Sequence, residues 1–99
     1  MENKMSPVHP GEILKEELEG LSISASTFAK SLDVPTNRIT EILNKRRRIT
    51  SDTALRLSRY FGTSAEFWMN LQQAYDLKIA RQDKWSGIKA TVQPLCVHG

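Results

Sequence analysis

Ninety-nine residues are enough for one domain with a real core and too few for two. At 39% apolar the chain suits a globular protein. No apolar run approaches the roughly 20 residues that span a bilayer, so no membrane partner is expected.

The net charge of +3 hides a segregation that says more. Residues 1–33 sum to −3, residues 34–60 to +5 and the remainder to +1. Half of the basic residues therefore occupy a short central segment, which is an electrostatic footprint for a polyanion. Taken alone, such a run is equally a solvated face. The single cysteine, Cys96, excludes an internal disulfide. Cys96 and His98 are two residues and do not make a site, so neither a metal nor a cofactor is expected.

The opening stretch MENKMSPVHPGE has no apolar signal core, which points to the cytoplasm. Residues 1–8 have no pattern and read as a flexible N-terminus. A first helix starts near Pro10, whose missing N–H costs nothing in a first turn. Ile13, Leu14 and Leu18 form its inward face, Glu12, Glu16, Glu17 and Glu19 its acidic outer face, and Gly20 its end.

Ser24 caps a second helix in which Phe28, Ala29 and Leu32 share a face. Asp33-Val34-Pro35 breaks it, because proline fixes φ, lacks an N–H and pushes Val34 out of the α region. A third helix turns Ile39, Ile42 and Leu43 inward, and Thr36, Asn37, Arg38, Thr40, Glu41 and Asn44 outward. Lys45-Arg46-Arg47-Arg48 follows directly. Two short helices, a compact turn, a polar outer face and a basic cluster are the sequence form of a helix-turn-helix.

In that motif the N-terminal part of the second helix meets base edges in the major groove while the first crosses the backbone. Thr36, Asn37, Arg38, Thr40 and Glu41 are therefore the candidate base contacts. Asn pairs bidentately with adenine, Arg with guanine, and Glu accepts from cytosine. Arg38 can equally reach a phosphate, and Asn37 also reads as a simple helix-start residue. Ser24, Ala25 and Ser26, at a helix N-terminus, and Asn44, Lys45, Arg46, Arg47 and Arg48 are the candidate phosphate contacts.

A fourth helix is capped by Thr50, with Asp52 near the positive end of its dipole. Ala54, Leu55, Leu57, Ser58 and Phe61 read as its buried face and Gly62 as its stop. Thr63 and Glu66 have capping-box spacing for a fifth helix, with Ser64 a competing cap. That helix is expected to reach about residue 82, with Phe67, Trp68, Leu71, Ala74, Tyr75 and Ile79 as a wide apolar stripe. The stripe closes the core, and part of it is a candidate dimer seam. Trp85-Ser86-Gly87 then reads as a break, and Ile88, Ala90 and Val92 alternate with polar residues as one short strand. A lone strand is not stable, so it pairs with another chain, packs on the body or stays disordered. A homodimer joining these surfaces, with Trp68, Leu71, Tyr75, Ile88 and Val92 at the seam, covers both liabilities.

The segments HPGEIL (9–14), VPTNRITEILNKRRRIT (34–50), DTALRLSRYFGTSAEFWMNLQ (52–72) and AYDLK (74–78) resemble the HigA/VapI type of antitoxin. That type lies within the phage-repressor-like (XRE) helix-turn-helix regulators. The resemblance spans residues 9–82 and implies an all-α, five-helix repressor-like DNA-binding domain. It also implies a homodimer, repression of its own operon, and neutralisation of a HigB-type toxin that cleaves mRNA on the ribosome. Two positions depart from the pattern. Ala65 stands where proline is common, and Lys45-Arg46 lacks the glycine often found at that helix end.

The expected architecture is thus a flexible segment 1–8, a helix-turn-helix domain 9–82, and a short extended tail 83–99 holding one strand. The expected function is a sequence-specific transcriptional repressor on a palindromic double-stranded operator, acting as antitoxin to a HigB-type toxin. The alternative is a stand-alone regulator or a protein-binding module without a cognate toxin. An enzyme is not expected: Glu16, Glu17 and His9 have no convergent partners, and there is no nucleophile motif or glycine-rich phosphate loop.

Overall fold

A histidine opens the first helix. His9 Nδ1 accepts the N–H of Gly11 at 2.9 Å, and the Glu12 carboxylate takes the His9 N–H at 3.4 Å. This is a capping box with imidazole in the usual hydroxyl role, and Pro10 sits at the first helical position. The computed structural model describes residues 7–96. It contains α1 (Pro10–Leu21), α2 (Ala25–Leu32), α3 (Thr36–Leu43), α4 (Ser51–Phe61) and α5 (Ala65–Thr91). No strand occurs among the described residues. Of the segment read as a flexible N-terminus, residues 1–6 lie outside them.

Gly11 fixes how closely α1 meets α3. A Cβ built there would stand 2.0 Å from the carbonyl oxygen of Ile42, so only glycine allows this approach. Gly20 lies inside α1 and does not end it. Ser22 takes the left-handed cap at φ 56°, and Ile23 N–H closes onto Leu18 O at 3.0 Å. Ile23 packs on the core just beyond, and that apolar anchor sets where the helix stops.

Ser24 Oγ accepts from Thr27 N–H at 3.2 Å and starts α2. Asp33 closes it at φ 59°, Val34 N–H reaches Ala29 O at 3.0 Å, and Pro35 leads into α3. After α3, Lys45 takes the left-handed position at φ 64° where glycine would be easier. The Lys45 and Arg46 N–H groups close onto Ile42 O at 3.0 Å and Glu41 O at 2.8 Å, so the helix end forms without glycine.

The core joins all five helices through Leu14, Phe28, Ile39, Ile42, Leu57 and Trp68, with Ile49 from the loop before α4. Leu55, expected inside, is 62% exposed, because the buried stripe of α4 runs through Ala54, Leu57 and Phe61 and passes it by. Ser64 Oγ caps α5 by accepting from Phe67 N–H at 3.1 Å. Thr63 serves elsewhere, its Oγ1 accepting from Trp68 Nε1 at 2.8 Å.

The largest departure lies at the C-terminal end. α5 runs through Trp85-Ser86-Gly87 to Thr91, 27 residues in all, so Ile88–Thr91 are helical and Val92 is its cap. One exposed glycine costs a helix only about 1 kcal/mol relative to alanine. A five-residue alternation is also too short to exclude a helix, and Leu77, Arg81, Trp85, Ile88 and Val92 recur at helical spacing. Val92 has an extended backbone and residues 93–96 follow without helix or strand, where Pro94 disfavours helix at Gln93. His98 lies outside the described residues.

Candidate nucleic-acid interface

Burial of Ile39 and Ile42 in the core fixes which way α3 faces. Thr36, Asn37 and Asn44 are exposed, Thr40 and Glu41 are half-buried beside them, and Arg38 lies at the flank toward α4. Four of the five expected base contacts thus lie on the outer side of one helix and Arg38 at its flank, with Thr36 and Asn37 the most open to a groove. Ser24 and Ser26 are exposed at the start of α2, and Ala25 packs partly on the core. Helix geometry leaves the N–H groups of Ala25 and Ser26 without helical carbonyls, so they can donate to a phosphate. Ser24 Oγ is already committed to its cap and to Thr27 Oγ1, at 3.0 Å.

The four cations after α3 do not behave alike. Arg47 pairs with Glu41, Nε to Oε1 at 2.8 Å, so a base contact by Glu41 would require that pair to open. Lys45 lies 3.5 Å from Glu12. Arg48 is turned back onto α5, where it meets Asp76. Arg46 makes no ion pair among the described residues and is exposed. Arg46 is therefore the cation most available to a polyanion, and Arg48 the least.

Two polar networks hold this surface, and sequence reasoning found neither. Asp52 Oδ2 accepts from Arg38 Nη1 at 2.6 Å and from Arg56 Nε at 2.9 Å. Hydrogen bonds from Arg56 and then Arg38 hold the Asp52 carboxyl below its ordinary range. A cleft of about 390 Å³ lined by Arg38, Arg47, Arg48, Arg56 and Asp52 opens there, at the start of α4. The i,i+4 spacing of Asp52 and Arg56 was the available signal. In the second network, Gln72, only 1% exposed, accepts Ile49 N–H and donates to Asp76 Oδ1 at 2.9 Å. Burial pushes the Asp76 carboxyl up, but hydrogen bonds from Arg48 and Gln72 outweigh it and hold the group below its ordinary value.

The residues named for a dimer seam separate. Trp68 is 2% exposed and belongs to the core, since its indole must satisfy Nε1 on Thr63 and fill the space beside Phe61. Leu71 packs partly on the same core, and Tyr75 stands edge-on to His9 at 4.7 Å. Ile88 and Val92 are exposed on the outer half of α5 with Leu77 and Trp85. There Leu77, Ala80, Arg81, Trp85 and Ile88 line an apolar groove of about 350 Å³.

The Helix-turn-helix family model matches residues 14–68, from within α1 to Trp68. Virulence-associated protein I of Dichelobacter nodosus is 56% identical over 85 residues, which cover 85% of this chain and 79% of that protein. An addiction module antidote protein of a HigA family from Coxiella burnetii superposes with a TM-score of 0.89 at 55% identity, covering 92% of this chain and all of that one. The Pseudomonas aeruginosa antitoxin HigA, solved with the higBA promoter, gives 0.88 at 43% identity, covering 91% and 99%. The family is one of DNA-binding helix-turn-helix antitoxins and regulators. The chain belongs to the helix-turn-helix family, within its HigA-type antitoxins.

Proposed function

We propose that this protein binds, as a homodimer, a palindromic operator in front of its own operon and represses it, and that it neutralises a HigB-type toxin encoded beside it. The observation that carries the reading is one surface: the polar outer side of α3, with Thr36 and Asn37 exposed and Thr40 half-buried, beside Arg46, which is exposed and makes no ion pair among the described residues. Polar side chains on a helix that fits a major groove discriminate bases, and a neighbouring cation supplies attraction to any phosphate. Arg38 and Glu41 work at the edge of that set. Ser24, Ala25, Ser26, Asn44, Lys45 and Arg47 line the backbone, with Arg48 reaching it only by leaving Asp76. The promoter complex of the Pseudomonas aeruginosa relative supports the same use of the fold here. The work is done in the cytoplasm, where chromosome and ribosomes are both within reach.

Gel-shift titration on the DNA upstream of the gene tests this. Asn37→Ala should lose about 1–3 kcal/mol on that DNA and little on a scrambled duplex. Arg46→Ala should weaken both and lower the salt slope by about one. Equal losses on both duplexes for Asn37→Ala would reject α3 as the reader. Failure of the adjoining gene product to co-purify would leave a stand-alone regulator.

A further inference from the structure

A chain of hydrogen bonds links the turn of the motif to its reading helix by way of α4. Arg56 Nη1 donates to Leu32 O at 2.8 Å and to Asp33 O at 3.2 Å, the carbonyls that close α2. Carbonyls at a helix C-terminus lack helical donors and carry partial negative charge, so they hold a guanidinium well. Arg56 Nε also donates to Asp52 Oδ2, one turn earlier on α4. Asp52 then takes one nitrogen of Arg38, in the first turn of α3. Arginine presents five N–H donors in a rigid plane, so a carboxylate on one edge leaves the other aimed and unoccupied.

We infer that Asp52, which lies outside the reading motif, is a positioning residue for sequence discrimination: anchored by Arg56, it holds Arg38 so that its free edge meets a base rather than any nearby phosphate. The inference deepens the DNA-reading role proposed above and rests on it. An unheld arginine must surrender side-chain freedom on reaching a base, and here part of that loss is taken on folding. The Asp52 charge also offsets the pull of a cation toward phosphates, which is indifferent to sequence. In the free protein the Asp52 side chain is 55% exposed, and ion pairs so open to water contribute little to stability. When DNA excludes that water the same bonds strengthen. The effect should therefore show in discrimination and not in melting.

The test uses the full chain carrying Asp52→Asn, Arg38→Ala or both. Two duplexes of about 30 base pairs hold two half-sites one helical turn apart. One is recovered by the wild-type protein from a random-sequence pool, and the other is its scramble. Asp52→Asn should weaken the recovered duplex by about tenfold while the scramble is bound as tightly or more tightly. Adding Asp52→Asn to Arg38→Ala should cost the recovered duplex nothing more, because Asp52 acts through Arg38. Equal loss on both duplexes, or a full further loss in the Arg38→Ala background, would overturn the inference. A wild-type protein that enriches no sequence from the pool rejects the DNA-reading role itself, a distinct failure.

Discussion

The side-chain oxygen of Gln72 accepts the backbone N–H of Ile49 at 2.6 Å, tying the middle of α5 to the loop that follows the reading helix. That loop carries Arg46 and Arg47, and Ile49 is wholly buried at its end. A buried amide without an acceptor costs about 1–3 kcal/mol. Gln72→Leu keeps most of the volume and removes the acceptor, so denaturant unfolding should show a loss of that size. The Ile49 amide should also exchange with solvent faster than its neighbours in α4. An unchanged midpoint would mean that water replaces Gln72 at no cost.

The two glycines of α1 should respond in opposite directions. Gly11→Ala drives a methyl group into the backbone carbonyl of Ile42, which has no flexible side-chain end to yield. Forcing atoms into a packed site costs about 1–3 kcal/mol, and here α1 must lift from α3. At Gly20 an added Cβ meets nothing within 4 Å. Gly20→Ala should stabilise by about 0.5–1 kcal/mol, since alanine loses less backbone freedom in a helix. Thermal melts of the two variants decide it, and equal destabilisation would refute the contrast.

Trp68 and Phe67 are adjacent, and both were expected in the core. Trp68 is buried with its Nε1 bonded to Thr63, whereas Phe67 is 44% exposed and edge-on to Trp68 at 5.1 Å. Trp68→Ala should therefore cost about 3–5 kcal/mol. Phe67→Ala should cost about 1 kcal/mol, the scale of an edge-on aromatic contact. Similar losses in urea titrations would show that Phe67 is as deeply engaged.

This pair marks where sequence reading stops. The Ser24 cap, the Asp33–Pro35 turn and the inward faces of α1 to α3 are set by neighbours within four residues, and each was legible. The His9 cap and the Ser22 stop of α1 were not, and Thr50, expected to cap α4, starts it with no side-chain cap bond. Which of two neighbouring aromatics turns inward depends on α1 and α4, and no local period records that. Gln72 was missed for the same reason. Its position, four residues after Trp68, lies on the buried stripe, but its partner is an N–H 23 positions earlier. At the site, the exposed side of α3 was legible. The pairing of Arg48 with Asp76 and of Arg38 with Asp52 joins residues distant in sequence and was not.

His9 makes the fold sensitive to mild acid. As cap it must offer a bare Nδ1 to Gly11, and burial disfavours its imidazolium, lowering its pKa from the ordinary 6.5. Lys45 pushes the same way, while Glu12 and Asp76 oppose. The unfolded chain therefore takes up a proton at higher pH than the folded one. Stability is fully present above about pH 6.5 and is lost as pH falls from there through the folded pKa. His9→Ser keeps an N-cap acceptor that does not titrate. Its melting temperature should fall less between pH 7 and pH 5 than that of the wild type, by about the His9 contribution. Parallel pH profiles for the two proteins would remove His9 as the cause.

The outer half of α5 should be the dimer seam. Residues 81–96 are all exposed, so this part of the helix receives little support from the rest of the chain. Isolated helices shorter than about 12–15 residues are marginal in water, and this stretch also contains Gly87. Yet it carries Trp85, Ile88 and Val92 along one side, in line with Leu77 one turn before it, and a second copy lying against that groove would bury them. A two-fold axis there also supplies the second reading helix that a palindrome requires, with half-sites about 34–36 Å apart or a multiple of that spacing. Trp85→Asp with Ile88→Asp should give a monomer by sedimentation at tens of micromolar, while the Trp68 core melts cooperatively as before. Affinity for a palindromic duplex should fall much further than affinity for a single half-site. A dimer that survives both aspartates would move the seam inward, to Leu71 and Tyr75.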